Sequence, residues 1–566
     1  MKYQLKGENN LDNIIETIFS NRGVRDVDRF INLDESVLCD YSALSNIQVA
    51  VELILKHVRN NSKIFVQVDS DCDGYTSAAI IINYLNKVFN HEIDLVWRLQ
   101  EGKEHGVELK NVPEDTNLVI LPDSGSNQIR EHRELNEKGI DVLVLDHHEC
   151  SEESRYGVIV NNQLSPNYKN KNLSGAGVCY KFCQALDKEL GLNLADYYLD
   201  LAALGNVADI MDVRELETRY LIKKGFENVN NPLFREIVEK QSYSMRGAVN
   251  IHTVGFYVAP LINAGIRYGS KELKEQMMRA LLEVEEKIYY KKQDKYETLA
   301  KATARELSNA RSRQNKQRDK SVEGIEDNIQ SNNLHQDKVI LCNVDGLLGR
   351  NLTGLVANQL VRKYKRPVIL YRKDKEKGML SGSARGYEKG EVRDFKKLLL
   401  ATGLFEYCEG HGNAFGHKFK SEKLDLLRET LNNQLQMDVD HENIYEVDFV
   451  LEEKQISDRI IYEINKYKNE WGGKLEEPKI YLKGVGITPR DAKLIGKKNN
   501  TLKIHYREGI ELVKFFTKQD DFEKMFADGE SIYFDAVVKC SVNEYDGKIT
   551  PQFEIIDIRI TDVLYF

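Results

Sequence analysis

Lys63–Ile81 reads KIFVQVDSDCDGYTSAAII. An apolar run from Ile64 to Val68 meets three alternating carboxylates, Asp69, Asp71 and Asp73, then Gly74 and a series of small and apolar residues. The pattern predicts a buried strand entering a turn and a helix N-terminus. Acids at the C-terminal end of a parallel strand lie where open α/β sheets bind their ligands. If extended geometry persists to residue 73, alternation puts the three carboxylates on one side. Like charges so crowded require a cation among them, and hard oxygen donors suit Mg²⁺ or Mn²⁺. A lone Asp before Gly would more often be a helix cap beside a solvated turn.

Two later segments repeat the arrangement. Leu118–Asn127, LVILPDSGSN, is an apolar strand pattern ending in Asp123, with Ser124, Ser126 and Asn127 behind it. Asp141–Cys150, DVLVLDHHEC, is a third, ending in Asp146, His147 and His148. Asp209, in ALGNVADIMD, closes a predicted helix. Three successive strands that end in metal-ligand chemistry form a constellation. Taken jointly, the D-x-D-x-D-G, P-D-S-G-S-N, D-H-H and V-A-D segments resemble the DHH phosphoesterase superfamily across about the first third of the chain.

That resemblance implies a two-ion site of Mn²⁺ or Mg²⁺, able to clamp the attacking and leaving oxygens of a phosphodiester. Asp123 would bridge the ions and Asp71 would serve the first. Asp73, His147 and Asp209 would complete the second, and Asp69 would be a ligand or an outer acid. His148 would contact the scissile phosphate, with Asp146 orienting the histidines. Many relatives carry His four residues before Asp71. Gln67 stands there, which implies weaker binding of the first ion.

At 566 residues the chain exceeds one core, and about three or four domains are expected. It is 41% hydrophobic and 30% charged with a net charge of −9, so a basic nucleic-acid groove would have to be local. The absence of a spanning apolar run and of a signal-like N-terminus predicts a cytoplasmic protein without membrane association. Eight cysteines without a C-x-x-C pair predict buried free thiols rather than zinc ligands.

In chain order, 1–60 reads as amphipathic helices packed on the next domain. Residues 61–270 alternate strands and helices, as in a parallel sheet covered on both faces. Arg98, Lys103 and His105 follow a strand end within reach of a phosphate or in a solvated loop. Gly175, Ala176 and Gly177 open a helix, where small residues admit either a phosphate or a packed neighbour. Pro260, Asn263, Gly265 and Arg267 resemble a P-x-x-N-A-x-x-R loop of the family, with Ile266 where Gly is more usual and Arg267 a phosphate clamp. Residues 271–337 predict a long connecting helix over 271–318 and a polar linker over 314–337. Residues 338–424 form a second α/β domain. Its Ser381, Ser383 and Arg385, and its Gly410, His411 and Gly412, resemble the S-x-S-x-R loop and Gly-His turn of the DHHA1 substrate-binding domain. Glu409 replaces the first Gly of that turn. Short strands over 446–566 predict a β-barrel of OB type. Tyr481, Tyr506, Phe515 and Phe516 are its candidate stacking residues, although most such aromatics are core, and Lys503 and Arg507 are candidate basic contacts.

The order of α/β domain, long helix, Gly-His domain and barrel is similar to RecJ-type nucleases. It implies a monomeric single-stranded DNA exonuclease working from the 5′ end in repair or recombination. A single-strand-binding protein or a helicase is a candidate partner. Two alternatives share the motifs: a phosphodiesterase of short RNA or cyclic dinucleotides, and a catalytically silent scaffold that binds single strands.

Overall fold

The computed structural model describes residues 1–90, 92–100, 105–150, 152–388, 390, 392–434, 443–526, 531–545 and 547–564. They form two compact units. One comprises Arg22–Arg311 with Tyr467–Glu477, the other Met1–Asn21, Ser312–Lys466 and Pro478–Phe566.

The first unit is built on a parallel sheet of β1 (Ile64–Val68), β2 (Leu95–Leu99), β3 (Leu118–Pro122), β4 (Asp141–Asp146) and β5 (Val158–Asn161). The strand order is β2-β1-β3-β4-β5. β1 and β3 are buried at every residue, which is why their sequences are continuous apolar runs rather than alternating ones. The chain leaves β1 for β2 on one side and later places β3 on the other. The crevice beyond their C-terminal ends is therefore a topological switch point, where α/β sheets bind ligands. Helices α1 (Cys72–Val88), α2 (Gly175–Leu190), α3 (Leu199–Ala208) and α4 (Ala259–Tyr268) complete the frame of the site.

Extended geometry does not persist through the triple-Asp segment. β1 stops at Val68, Asp71 caps α1 by accepting from the Gly74 amide, and Asp73 lies in the first helical turn. The P-x-x-N-A-x-x-R segment is helix rather than loop. It forms α4 and follows a π-turn over Val254–Val258. Pro260 has no amide to offer the helix ladder, and the Ala259 N–H reaches back to the Val254 carbonyl.

Residues 271–337 also differ from the expected helix and linker. Lys271–Leu281 is one helix, a hairpin of Lys287–Tyr290 and Lys295–Thr298 follows, and a second helix runs over Leu299–Ser331. The polar stretch stays helical because Lys, Arg, Glu, Gln and Ala favour helix and because Val322, Ile325 and Ile329 form a buried stripe.

In the second unit, strands Ile340–Asn343, Val368–Lys373, Met379–Arg385, Phe405–His411 and Ala414–Lys420 form one sheet. Leu427 and Leu431 pack into its core, so this body continues past the expected boundary at 424. Seven strands between Phe449 and Leu564 form another sheet. Residues 1–60 are not one helical region of the first unit. Lys2–Leu5 is a strand paired with Ile444–Val447, and Met1–Asn21 belongs to the second unit. Among the described residues no single helix is long and apolar enough to cross a membrane.

Farther along, α2 is held by a buried ion pair. Lys181 Nζ lies 2.7 Å from Glu217 Oε1 and donates to the Cys39 carbonyl at 2.9 Å. Glu217 also accepts from the Cys39 amide, Tyr168 and Asn170. Removing one partner leaves an uncompensated buried charge. Lys181→Met should cost about 3–5 kcal/mol in denaturant unfolding, and adding Glu217→Gln should recover part of the loss.

Candidate metal centre

Each acid-tipped strand delivers its ligands to the switch point. Asp69 follows β1 and is 1% exposed; its Oδ2 lies 2.7 Å from His105 Nδ1, while its Oδ1 is buried without a hydrogen bond. His105 thus meets an acid of the cluster. Asp123 follows β3, and its Oδ1 is also buried without a hydrogen bond. Asp209 caps the C-terminus of α3. His147 Nε2 sits among three carboxylates, 3.2 Å from Asp123, 3.6 Å from Asp209 and 3.8 Å from Asp73.

The small residues opening α2 serve the protein's own anion. Asp73 Oδ2 accepts from the Gly175 amide at 2.8 Å, and its Oδ1 accepts from Ser174 Oγ at 2.9 Å and the Ala176 amide at 3.1 Å. The positive end of α2 thereby steadies a buried carboxylate of the protein itself. Glycine is required at 175 by proximity: a Cβ there would collide with Asp123.

Asp146 organises the histidines. Its Oδ1 accepts from the His147 amide at 2.7 Å and pairs with His148 Nδ1 at 2.8 Å, and its Oδ2 accepts from the Ser126 amide at 3.0 Å. Burial raises its carboxyl, but the hydrogen bond and charge of His148 outweigh burial and hold it well below the usual range. Burial lowers His148, but the same bond carries it up to about 9.

Asp123, Asp73 and Asp209 move upward. Burial, followed by the charges of Asp73, Asp71 and Asp69, pushes Asp123 far up. Burial also raises Asp73, against the charge of His147. Burial, Asp73 and Asp71 bring Asp209 to about 7. Asp69, Asp71 and Asp123 form one group with ligand atoms within 4.8 Å of one another, Asp73, His147 and Asp209 a second, and Asp123, Asp146, His147 and His148 a third. Orphaned buried carboxylate oxygens in a cluster of raised acids fit divalent cations. Gln67 is fully buried. Its Nε2 donates to the Arg98 carbonyl, and its Oε1 has no hydrogen bond.

The remaining expected residues fall elsewhere. Arg98 is exposed on β2, and Arg267 is exposed near the end of α4. Lys103 lies outside the described residues. Ser381, Ser383 and Arg385 occupy one strand of the second unit; Gly410, His411 and Gly412 lie at the turn of the neighbouring hairpin. Tyr481 is core and donates to Asp535, and Lys503 is paired with Glu511, whereas Phe515 and Phe516 are exposed. Ser174 and the amides of Gly175 and Ala176 were not expected as carboxylate partners, since only tertiary folding brings Asp73 to them.

Residues 63–206 match the DHH family, N-terminal domain, and residues 447–557 match the RecJ OB domain. A Bacillus subtilis strain 168 protein named as a putative SPbeta prophage-derived single-strand DNA-specific exonuclease, YorK, is 43% identical over 99% of this chain and 98% of its own. Single-stranded-DNA-specific exonuclease RecJ of the same strain is 26% identical over 94% of this chain and 66% of its own length. The crystal structure of Thermus thermophilus RecJ in complex with Mn²⁺ shares the fold, with a TM-score of 0.75 at 21% identity, covering 100% of this chain and 80% of that one. The same protein in complex with Mg²⁺ gives 0.68. The chain belongs to the RecJ-type branch of the DHH family.

Two measurements test the cluster as a cation site. Ser174→Ala removes a donor to Asp73 and should weaken Mn²⁺ binding about 10–100-fold in calorimetry. Because the Asp209 carboxyl titrates at about 7, cations compete with its proton. Mn²⁺ affinity should therefore fall as the pH drops through that value, with proton release on binding.

Proposed function

We propose that this protein is a metal-dependent exonuclease that hydrolyses single-stranded DNA from its 5′ end. The observation that carries the reading is the pair of three-donor groups at the switch point, Asp69 with Asp71 and Asp123, and Asp73 with His147 and Asp209. The named activity of the 43%-identical relative supports it.

Asp123 lies between the two groups, within reach of His147 and gathered with Asp69 and Asp71. Divalent cations held there would polarise a water and the phosphoryl oxygens and balance the charge of the transition state. His148, kept cationic by Asp146 and 46% exposed, is the donor placed to meet the phosphate. Asp146 is a positioning residue that acts through both histidines. Arg267 is assigned as a phosphate clamp, with Ser381, Ser383, Arg385 and the Gly410–Gly412 turn contacting the strand backbone. Phe515 and Phe516, exposed in the C-terminal part, are assigned to stacking, and Arg98 and His105 to further contacts with the strand's phosphates.

The test is a single strand labelled at either end, beside its duplex, with Mn²⁺ or Mg²⁺. The protein should release mononucleotides from the 5′ end of the single strand only, and Asp123→Asn should abolish release while retaining strand binding. Cleavage confined to short RNA would replace the reading with an oligoribonucleotide phosphodiesterase. Binding without cleavage of either would replace it with a scaffold.

A further inference from the structure

Tyr467–Glu477 comes from the C-terminal part of the chain yet is part of the first unit. Its anchors are complete. Trp471 is 3% exposed under the guanidinium of Arg22, and Glu470 pairs with the buried Arg219 and with Lys223. Gly472 and Leu475 exchange backbone hydrogen bonds and close a tight turn. Gly472 lies against Ile251 and the His252 amide. Gly473, at φ +54, faces the Met211 carbonyl, which lies 3.6 Å from where its Cβ would be. The turn is thus seated on the residues that follow Asp209. Lys474, next in the chain, is exposed and has no hydrogen bond or ion pair among the described residues, although its charge acts on Asp209 and Asp212.

Beside the turn, His252 and Phe256 present stacked rings, 6.0 Å between centroids and 12° between planes. Phe256 is 65% exposed on the π-turn that packs along α3, the helix ending at Asp209. A cation and a bare aromatic face therefore share one rim of the carboxylate cluster. A carboxylate has no use for a bare ring, whereas a nucleotide offers an anion and a base together.

We infer that Lys474 and the Phe256–His252 pair form a nucleotide subsite, with Lys474 taking the phosphate next to the scissile one and Phe256 stacking on its base. The subsite rests on the exonuclease reading and adds to it where the strand is held. Lysine suits the role as a point charge on a flexible stem, fixed at its root by the Gly-Gly turn.

The experiment measures binding of a single-stranded oligonucleotide to the full chain in chelator across a salt series, with hydrolysis in Mn²⁺ alongside. Lys474→Gln should lower the slope of log affinity against log salt by about 0.7, and Lys474→Arg should restore it. Phe256→Ala should weaken binding about 5- to 150-fold, and Phe256→Trp should retain it. Mn²⁺ affinity should not fall in any of the four. Wild-type slope in Lys474→Gln and wild-type affinity in Phe256→Ala, with an active parent, would overturn the subsite alone. A parallel loss of Mn²⁺ affinity would also overturn it, in favour of a role in supporting the carboxylates. A parent that neither binds nor cleaves single strands would overturn the exonuclease reading and the subsite with it.

Discussion

The structure depends on crowding carboxylates where water cannot screen them. Asp69, Asp73 and Asp123 are each 1% exposed, and Asp73 and Asp123 flank one imidazole. Burial and mutual repulsion both oppose ionisation, so each acid needs either a donor or a cation. The protein supplies donors unevenly. Asp73 receives the amino end of α2, Asp71 the amide of Gly74, and Asp146 the amides of Ser126 and His147. Asp69 and Asp123 each keep one oxygen without a hydrogen bond among the described residues. That imbalance distinguishes a metal centre from a buried polar network, which would satisfy every oxygen.

Holding the arrangement requires strain in the backbone. Asp123 adopts φ +63 and Ile210 adopts φ +56. Asp tolerates the left-handed region, but a β-branched Ile there is a genuine outlier. Each sits at or beside a carboxylate of the cluster, where local strain fixes direction. Ile210 is also the residue against which the Gly473 turn rests. The buried Trp471 and the Glu470–Arg219 pair anchor the turn that rests on this segment.

What could be read from the sequence follows from where the information lies. β1, β3 and β4 are legible because burial on both faces demands unbroken apolar runs, and the acids that end them stand out. The helix to Ser331 was obscured because Val322, Ile325 and Ile329 are sparse among charges. The Lys2–Leu5 strand is short and pairs with Ile444–Val447, at the far end of the chain, so its pattern carries no local signal. A similar separation hid Lys474. Trp-Gly-Gly-Lys announces a turn, and nothing in it announces Asp209. The amides that hold Asp73 stayed ambiguous for a related reason. Small residues at a helix start do mark an anion site, but the sequence does not say whose anion fills it.

The two donor groups are chemically unlike, and Gln67 sharpens the difference. It is the fourth residue of β1, two before Asp69, and is fully buried. Its amide nitrogen is committed to the Arg98 carbonyl, which turns Oε1 into the buried orphan. A histidine there would offer a nitrogen donor, whereas glutamine offers a neutral oxygen. The group of Asp69, Asp71 and Asp123 is all carboxylate, with His105 paired to Asp69, whereas the group of Asp73, His147 and Asp209 contains an imidazole. Oxygen sites suit Mg²⁺ and Mn²⁺ alike, and imidazole shifts preference along the transition series. A cluster that mixes carboxylate oxygens with imidazole nitrogen suits Mn²⁺ as well as Mg²⁺.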